Sequence, residues 1–265
     1  MKNKTTITSI VNIKGGVGKT TTTCAFAELL AKKGRKVLVV DMDPQFNTSR
    51  MYRVCPTSTQ PSAATLFLLP AKVVQSENKE DILACIYTTD NPNIDIIPAS
   101  EDLSVTEEIV RADTSRVQQK ILSKCLARIK DNYDNILIDN SPFYNLLTIN
   151  SLTASDNVIT PVEADGYSYH GLTMLLERIN SIKEELNEDL EFLGIFLTKA
   201  EPNTVSFREM FEAYQNELGD KFLKTYIRKD ISVKESTILL QPLLTYDPAC
   251  RAIEDYSNLL KKLNI

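Results

Sequence analysis

Glycine is scarce in this chain, 8 of 265 residues, yet three of the eight, Gly15, Gly16 and Gly18, fall within four consecutive positions. An average chain carries ~7% glycine. A chain that withholds glycine elsewhere and concentrates it at one place needs unusual backbone geometry there. The cluster follows an apolar run, Ile7–Ile13, and precedes a helical pattern over Thr20–Lys33, with Ala25, Phe26, Leu29 and Leu30 apolar and Glu28, Lys32 and Lys33 polar. A strand, a glycine turn and a helix in that order constrain the fold more than any other feature.

Further apolar, β-branched runs alternate with helical patterns along the chain. The strands expected are Ile7–Ile13, Lys36–Asp41, Ile94–Pro98, Asn135–Asp139, Asn157–Val162, Phe192–Lys199 and Phe222–Arg228, with helices over Thr20–Lys33, Ser115–Asp131, Gly171–Glu185 and Ser206–Leu218. Val37-Leu38-Val39-Val40 is apolar without a break, the pattern of a parallel strand buried on both faces. The alternation predicts an α/β fold, one doubly wound and mostly parallel β-sheet flanked by helices. One domain over residues 1–265 is expected. Residues 50–90, with Pro56, Pro61 and Pro70 and a short apolar stretch at Leu66–Leu69, read as an irregular excursion carrying a short helix or two.

Lys14-Gly15-Gly16-Val17-Gly18-Lys19-Thr20-Thr21 nearly matches the P-loop pattern G-x-x-x-x-G-K-[ST], with Asn12 or Ile13 standing where the first glycine would be. Glycine lets backbone N–H groups point into a nest around phosphate oxygens. The following helix adds its N-terminal dipole. Lys19 would reach the β- and γ-phosphates, and the Thr20 hydroxyl would bind Mg²⁺. The apolar strand Asn135–Asp139 ends in a single aspartate. Beside a phosphate loop, Asp139 would hold Mg²⁺ through water.

The absent first glycine and the additional Lys14 resemble the deviant phosphate loop of the ParA/MinD family of ATPases. The resemblance implies ATP and ADP as nucleotides, Mg²⁺ as the metal, and a homodimer in which Lys14 reaches the partner's nucleotide and neutralises transition-state charge. Asp41-Met42-Asp43-Pro44-Gln45 with Asn47 matches the family's D-x-D-P-Q-x-N segment. It implies that Asp43 orients the attacking water and that Asp41 supports the Mg²⁺ shell. Two departures stand out. Phe46 occupies a position that is usually glycine, and Asp139-Asn140-Ser141-Pro142 replaces D-x-P-P. The likeness extends through Ile94–Ser100, Asp102-Leu103, Thr160–Glu163, Ile227–Asp230, Glu235-Ser236 and Asp247-Pro248. It is weakest over 50–90 and 199–220.

Net charge is −5, so a polyanion partner would need a local patch. Residues 221–234 hold Lys221, Lys224, Arg228, Lys229 and Lys234 against Asp230 alone, five cations to one acid. By the resemblance, Arg228, Lys229 and Asp230 lie near the nucleotide base. Lys199, Arg208, Lys224, Arg228, Lys229 and Lys234 are the candidates for sequence-independent DNA contact, which would be salt-sensitive.

Ala249–Leu263 puts Ile253, Tyr256, Leu259, Leu260 and Leu263 on one helical stripe, and its mixed-charge polar face favours core packing over a membrane anchor. The five cysteines have no metal-ligand or paired spacing and are expected to be buried. Tyr167 and His170, a lone histidine, carry no expected chemistry. No signal peptide is evident, and no helix-turn-helix segment is expected ahead of the first strand. The function implied is a partition ATPase, cytoplasmic and nucleoid-associated, working with a ParB-like centromere-binding protein. A MinD-like membrane-cycling ATPase and a ParA-like positioner of another cargo are the alternatives. An iron–sulfur electron-transfer ATPase would need cluster cysteines that Cys85 and Cys125 do not supply.

Overall fold

The computed structural model describes residues 4–76, 78–163 and 168–265. Tyr167 and the side chain of His170 lie outside what is described. The strands are β1 (Thr6–Ile10), β2 (Val37–Met42), β3 (Tyr87–Thr88), β4 (Ile94–Ile97), β5 (Asn135–Asn140), β6 (Asn157–Glu163), β7 (Glu191–Ala200) and β8 (Phe222–Arg228). They form one sheet in the order β3-β4-β2-β5-β1-β6-β7-β8. Every adjacent pair is parallel except β3–β4, an antiparallel edge. The expected doubly wound, mostly parallel sheet is what the chain forms.

The helices are α1 (Lys19–Lys32), α2 (Asn47–Met51), α3 (Ala63–Leu68), α4 (Ala71–Gln75), α5 (Glu80–Leu83), α6 (Leu103–Ala112), α7 (Ile121–Ala127), α8 (Leu146–Ala154), α9 (Ser168–Glu185), α10 (Val205–Leu218), α11 (Ile231–Ile238), α12 (Leu243–Tyr246) and α13 (Arg251–Leu263). The apolar run of β2 serves two cores. Leu38 and Val40 join α3, α6, α7 and α8 on one face, while Val37 and Val39 join α1, α12 and α13 on the other. That is why the strand shows no polar alternation.

Three expectations change. The strand placed at Ile7–Ile13 ends at Ile10, because the Asn12 side chain donates to the Pro161 carbonyl and accepts the Lys14 N–H, turning the chain into the glycine loop. The helix placed at Ser115–Asp131 is broken: a 3₁₀ turn at Gln118–Lys120 precedes α7, and a second one spans Lys130–Asn132. Asn150 of α8 causes the first break, accepting from the Ile121 and Leu122 N–H groups and donating to the Gln118 carbonyl. A helix start satisfied from across the fold leaves no local capping signal. The excursion at 50–90 carries α3, α4, α5 and the edge strand β3, with α3 opened by a Ser62–Thr65 capping box.

The C-terminal stripe is spent on the core: Ile253, Tyr256, Leu259 and Leu260 are buried, and Leu263 packs against the same cluster. No helix among the described residues is long and apolar enough to cross a membrane. Four cysteines are buried as expected, but Cys55 is exposed.

Candidate nucleotide site

The glycine loop stands at the carboxyl end of β1, between β5 and β6, where α/β sheets bind ligands. Gly16 and Gly18 have φ of +75° and +95°, left-handed backbone that explains glycine at both. Gly18 caps α1 without any side-chain hydrogen bond, so the first-turn N–H groups remain available to an anion. The loop is braced from a distance. Thr198 of β7 donates its hydroxyl to the Val17 carbonyl at 2.9 Å. Nothing in the sequence near the loop signals Thr198, which lies some 180 residues away.

Lys19 is buried and donates from Nζ to the Lys14 carbonyl at 3.0 Å. Burial lowers the pKa of its ammonium below the ordinary lysine value, opposed by the carboxylates of Asp139 and Asp43. A cation held in that position is one that a phosphate would stabilise. Lys14 is half-exposed and stands 3.9 Å from Glu163.

The metal candidates separate into two groups. Thr20 donates its hydroxyl to Asp139 Oδ2 at 2.7 Å, and Thr48 donates to the same oxygen at 2.6 Å. Asp139 is fully buried, and burial raises its pKa despite these donors. Asp41 pairs in register with Asp139 on the neighbouring strand. Burial first, and then the Asp139 charge, raise the pKa of its carboxyl as well. Its oxygens already accept the Ser49 N–H (2.9 Å), the Ser49 hydroxyl (2.7 Å) and the Asp43 N–H (3.1 Å). Asp41 therefore ties down the 41–49 turn, whereas Asp139 accepts from hydroxyls alone, Thr23 at 3.4 Å included, and with Thr20 is the candidate pair for a cation. One hydroxyl and one carboxylate are hard donors, few enough that water and phosphate would complete the shell, and that suits Mg²⁺. Thr48, whose partner is Asp139, escaped the sequence reading; its place beside Asn47 in the matched segment was the only signal.

Asp43 is nearly buried and accepts the Gln45 N–H at 2.9 Å. With Pro44, Phe46, Arg50, Glu107, Ser141 and Phe143 it lines a cavity of about 490 Å³. Phe46 is left-handed, φ +42°, which accounts for glycine being usual at that position; its ring lies under the Arg50 guanidinium at 4.3 Å.

Arg228, Lys229 and Asp230 join Gly16, Gly18 and Thr21 around a second cavity of about 570 Å³, so the predicted base-side residues do meet the phosphate loop. Their charges are largely spent. Arg228 pairs with Asp255 at 2.8 Å and Glu254 at 2.7 Å, Lys229 pairs with Glu201, and Asp230 caps α11. The basic window 221–234 is not one patch. Lys224 lies near the amino end of β8, where the Lys262 ammonium meets the Leu223 carbonyl, whereas Arg228, Lys229 and Lys234 stand at the opposite, nucleotide end. Lys199, ion-paired to Glu163 at 3.2 Å, and Arg208 on the first turn of α10 also belong to the nucleotide end.

A chain that closes its phosphate loop with Lys19-Thr20 over a strand-end aspartate, in a sheet of this order, is a P-loop NTPase. A family model described as an AAA domain matches residues 5–192. The sporulation initiation inhibitor protein Soj of Bacillus subtilis (strain 168) is 34% identical over 258 residues, covering 97% of both chains. The chromosome partitioning protein ParA of Caulobacter vibrioides (strain NA1000 / CB15N) is 32% identical over 263 residues, covering 98% of this chain and 94% of that one. A McdA variant of Cyanothece solved in complex with ATP has the same fold, with a TM-score of 0.83 at 20% identity over 99% of this chain and 98% of its own. The chain belongs to the ParA/MinD family of P-loop ATPases.

Proposed function

We propose that this protein is a Mg²⁺-dependent ATPase that drives partition of a plasmid or chromosome, with residues 1–265 acting as one ATPase domain. The observation that carries the reading is the buried Lys19 at the head of an uncapped α1, beside the Thr20–Asp139 pair. The phosphate loop, residues 14–21, holds ATP or ADP. Thr20 and Asp139 hold Mg²⁺, with Asp41 supporting the turn behind them, and the cavity at Arg228–Asp230 takes the base side of the nucleotide.

Two protomers sandwich two nucleotides, each Lys14 serving the opposite active site. The dimer grips DNA without reading its sequence, through exposed cations at the nucleotide end such as Lys199, Arg208 and Lys234. A ParB-like partner stimulates hydrolysis through Asp43, and the dimer separates. The protein works in the cytoplasm, carried on the nucleoid. Turnover without the partner is slow, because positioning and charge neutralisation supply the catalysis and no strong general base is at hand among the described residues. Partition is favoured by the full-length likeness to Soj and ParA, and by the commitment of the α13 stripe to the core.

Calorimetric titration of Mg·ATP into wild type and Lys19→Ala tests the site. Removing the buried cation is expected to weaken binding by about 100-fold, the loss of a charge-assisted contact worth ~3 kcal/mol. Affinity in the variant within about threefold of wild type would contradict the assignment.

A further inference from the structure

A cavity of about 450 Å³ lies between α1, the turn that joins β3 to β4, and the start of α12. Small-molecule pockets run from roughly 300 to 1,000 Å³. No phosphate-loop residue lines it, so it stands apart from the nucleotide site. Glu28 of α1 lines the cavity and is 6% exposed. Burial raises the pKa of its carboxyl, and hydrogen bonding from the Asn91 and Thr245 side chains opposes the rise. Asn91 and Thr245 line the same cavity from two elements, the β3–β4 turn and α12. The carboxyl that both reach therefore sits at the cavity wall between them. Arg53, the one cation among the described residues lining the cavity, is exposed and is not one of the groups acting on the Glu28 carboxyl. Burying a carboxylate without a cation is costly. Glutamine would fill the same space and keep neutral hydrogen bonds to both neighbours, so the fold itself gains nothing from the acid.

We infer that this cavity binds an organic cation bearing a guanidinium group, with Glu28 as its counter-ion. A guanidinium presents its N–H donors as a planar fork that matches a carboxylate two at a time. Its remaining donors find acceptors in the Gln241 amide and the Asp90 carboxylate, which line the same cavity. Tyr52, Pro92 and Pro242 supply apolar wall for the stem that carries the group. A divalent metal ion suits the cavity less well. Such ions gather several hard oxygen ligands, and no group of three or more metal-ligating side chains occurs among the described residues. The guanidinium belongs either to a free small molecule or to an arginine side chain presented by another protein, and the two sources share the chemistry that Glu28 selects.

Backbone-amide NMR of the full chain tests it, in titrations with L-arginine, its uncharged isostere citrulline and the blocked peptide acetyl-Gly-Arg-Gly-amide. Wild type should show saturable shifts at Asn91, Thr245 and their neighbours with arginine or the peptide, and none with citrulline. Binding of arginine alone identifies a free small molecule as the source, and binding of the peptide identifies a side chain carried by another protein. Glu28→Gln should melt no lower than wild type and bind about tenfold more weakly, the loss of one charge-assisted contact. Wild type that shows no saturable shift with either cation would overturn the inference, as would equal shifts with citrulline. Unchanged affinity in Glu28→Gln would overturn it too, and so would a clear fall in that variant's melting temperature, since the acid would then serve the fold. The measurement needs no nucleotide, so its failure leaves the ATPase reading untouched.

Discussion

Phe46 sits where its backbone is strained and its side chain is rewarded. Left-handed φ at a non-glycine residue costs roughly 1–2 kcal/mol. The ring recovers part of this by packing on the core of the α3–α8 face, and the Arg50 guanidinium at 4.3 Å adds about 0.5–1 kcal/mol. Phe46→Gly loses the contacts but removes the strain, whereas Phe46→Ala loses the contacts and keeps it. Urea denaturation should therefore rank Phe46→Ala below Phe46→Gly by about 1 kcal/mol; an alanine variant more stable than the glycine one would refute the account. The same residue scale shows what the sequence could and could not reveal of the site. Lys14, Lys19, Thr20, Asp43 and Asp139 are legible, because a phosphate loop and strand-end carboxylates sit at fixed spacings in the chain. Thr48, Thr198 and Asn12 are not, because each acts on a group that only folding brings to it.

Elements follow the same division. The seven strands placed from apolar runs are all present, their ends shifted by no more than three residues, because burial on both faces writes itself into composition. The edge strand β3 is two residues long and carries no run to read. The break before α7 comes from Asn150, and the irregular pairing of β6 with β7 falls beside a glycine that β8 crowds. Gly194 has φ +131°, and a Cβ there would stand 2.8 Å from Leu223 Cγ and 3.0 Å from the Lys221 carbonyl. The β6–β7 register slips beside it, between Val158 and Ile159. Gly194→Ala would meet both the strained backbone and the crowded β8, and should lower stability by roughly 2–4 kcal/mol. A denaturation midpoint within experimental error of wild type would show that β8 yields there.

At the scale of the molecule, a charge count along the sequence misplaces a surface. Window 221–234 reads as one basic stretch, but β8 runs from the amino edge of the sheet to the nucleotide edge and carries Lys224 and Arg228 towards opposite ends. What gathers at the nucleotide edge comes instead from separate elements, Lys199 after the core of β7, Arg208 on α10 and Lys234 on α11. The central claim is that this edge closes on a second copy only when ATP is bound, with Lys14 reaching across. Light scattering on Asp43→Ala, a variant the proposed role of Asp43 expects to be unable to hydrolyse ATP, tests it most directly when Mg·ATP is compared with Mg·ADP. The account predicts twice the monomer mass in ATP, monomer in ADP, and monomer in both nucleotides once Lys14→Ala is added. A monomer in saturating ATP, or a dimer indifferent to Lys14, would contradict it.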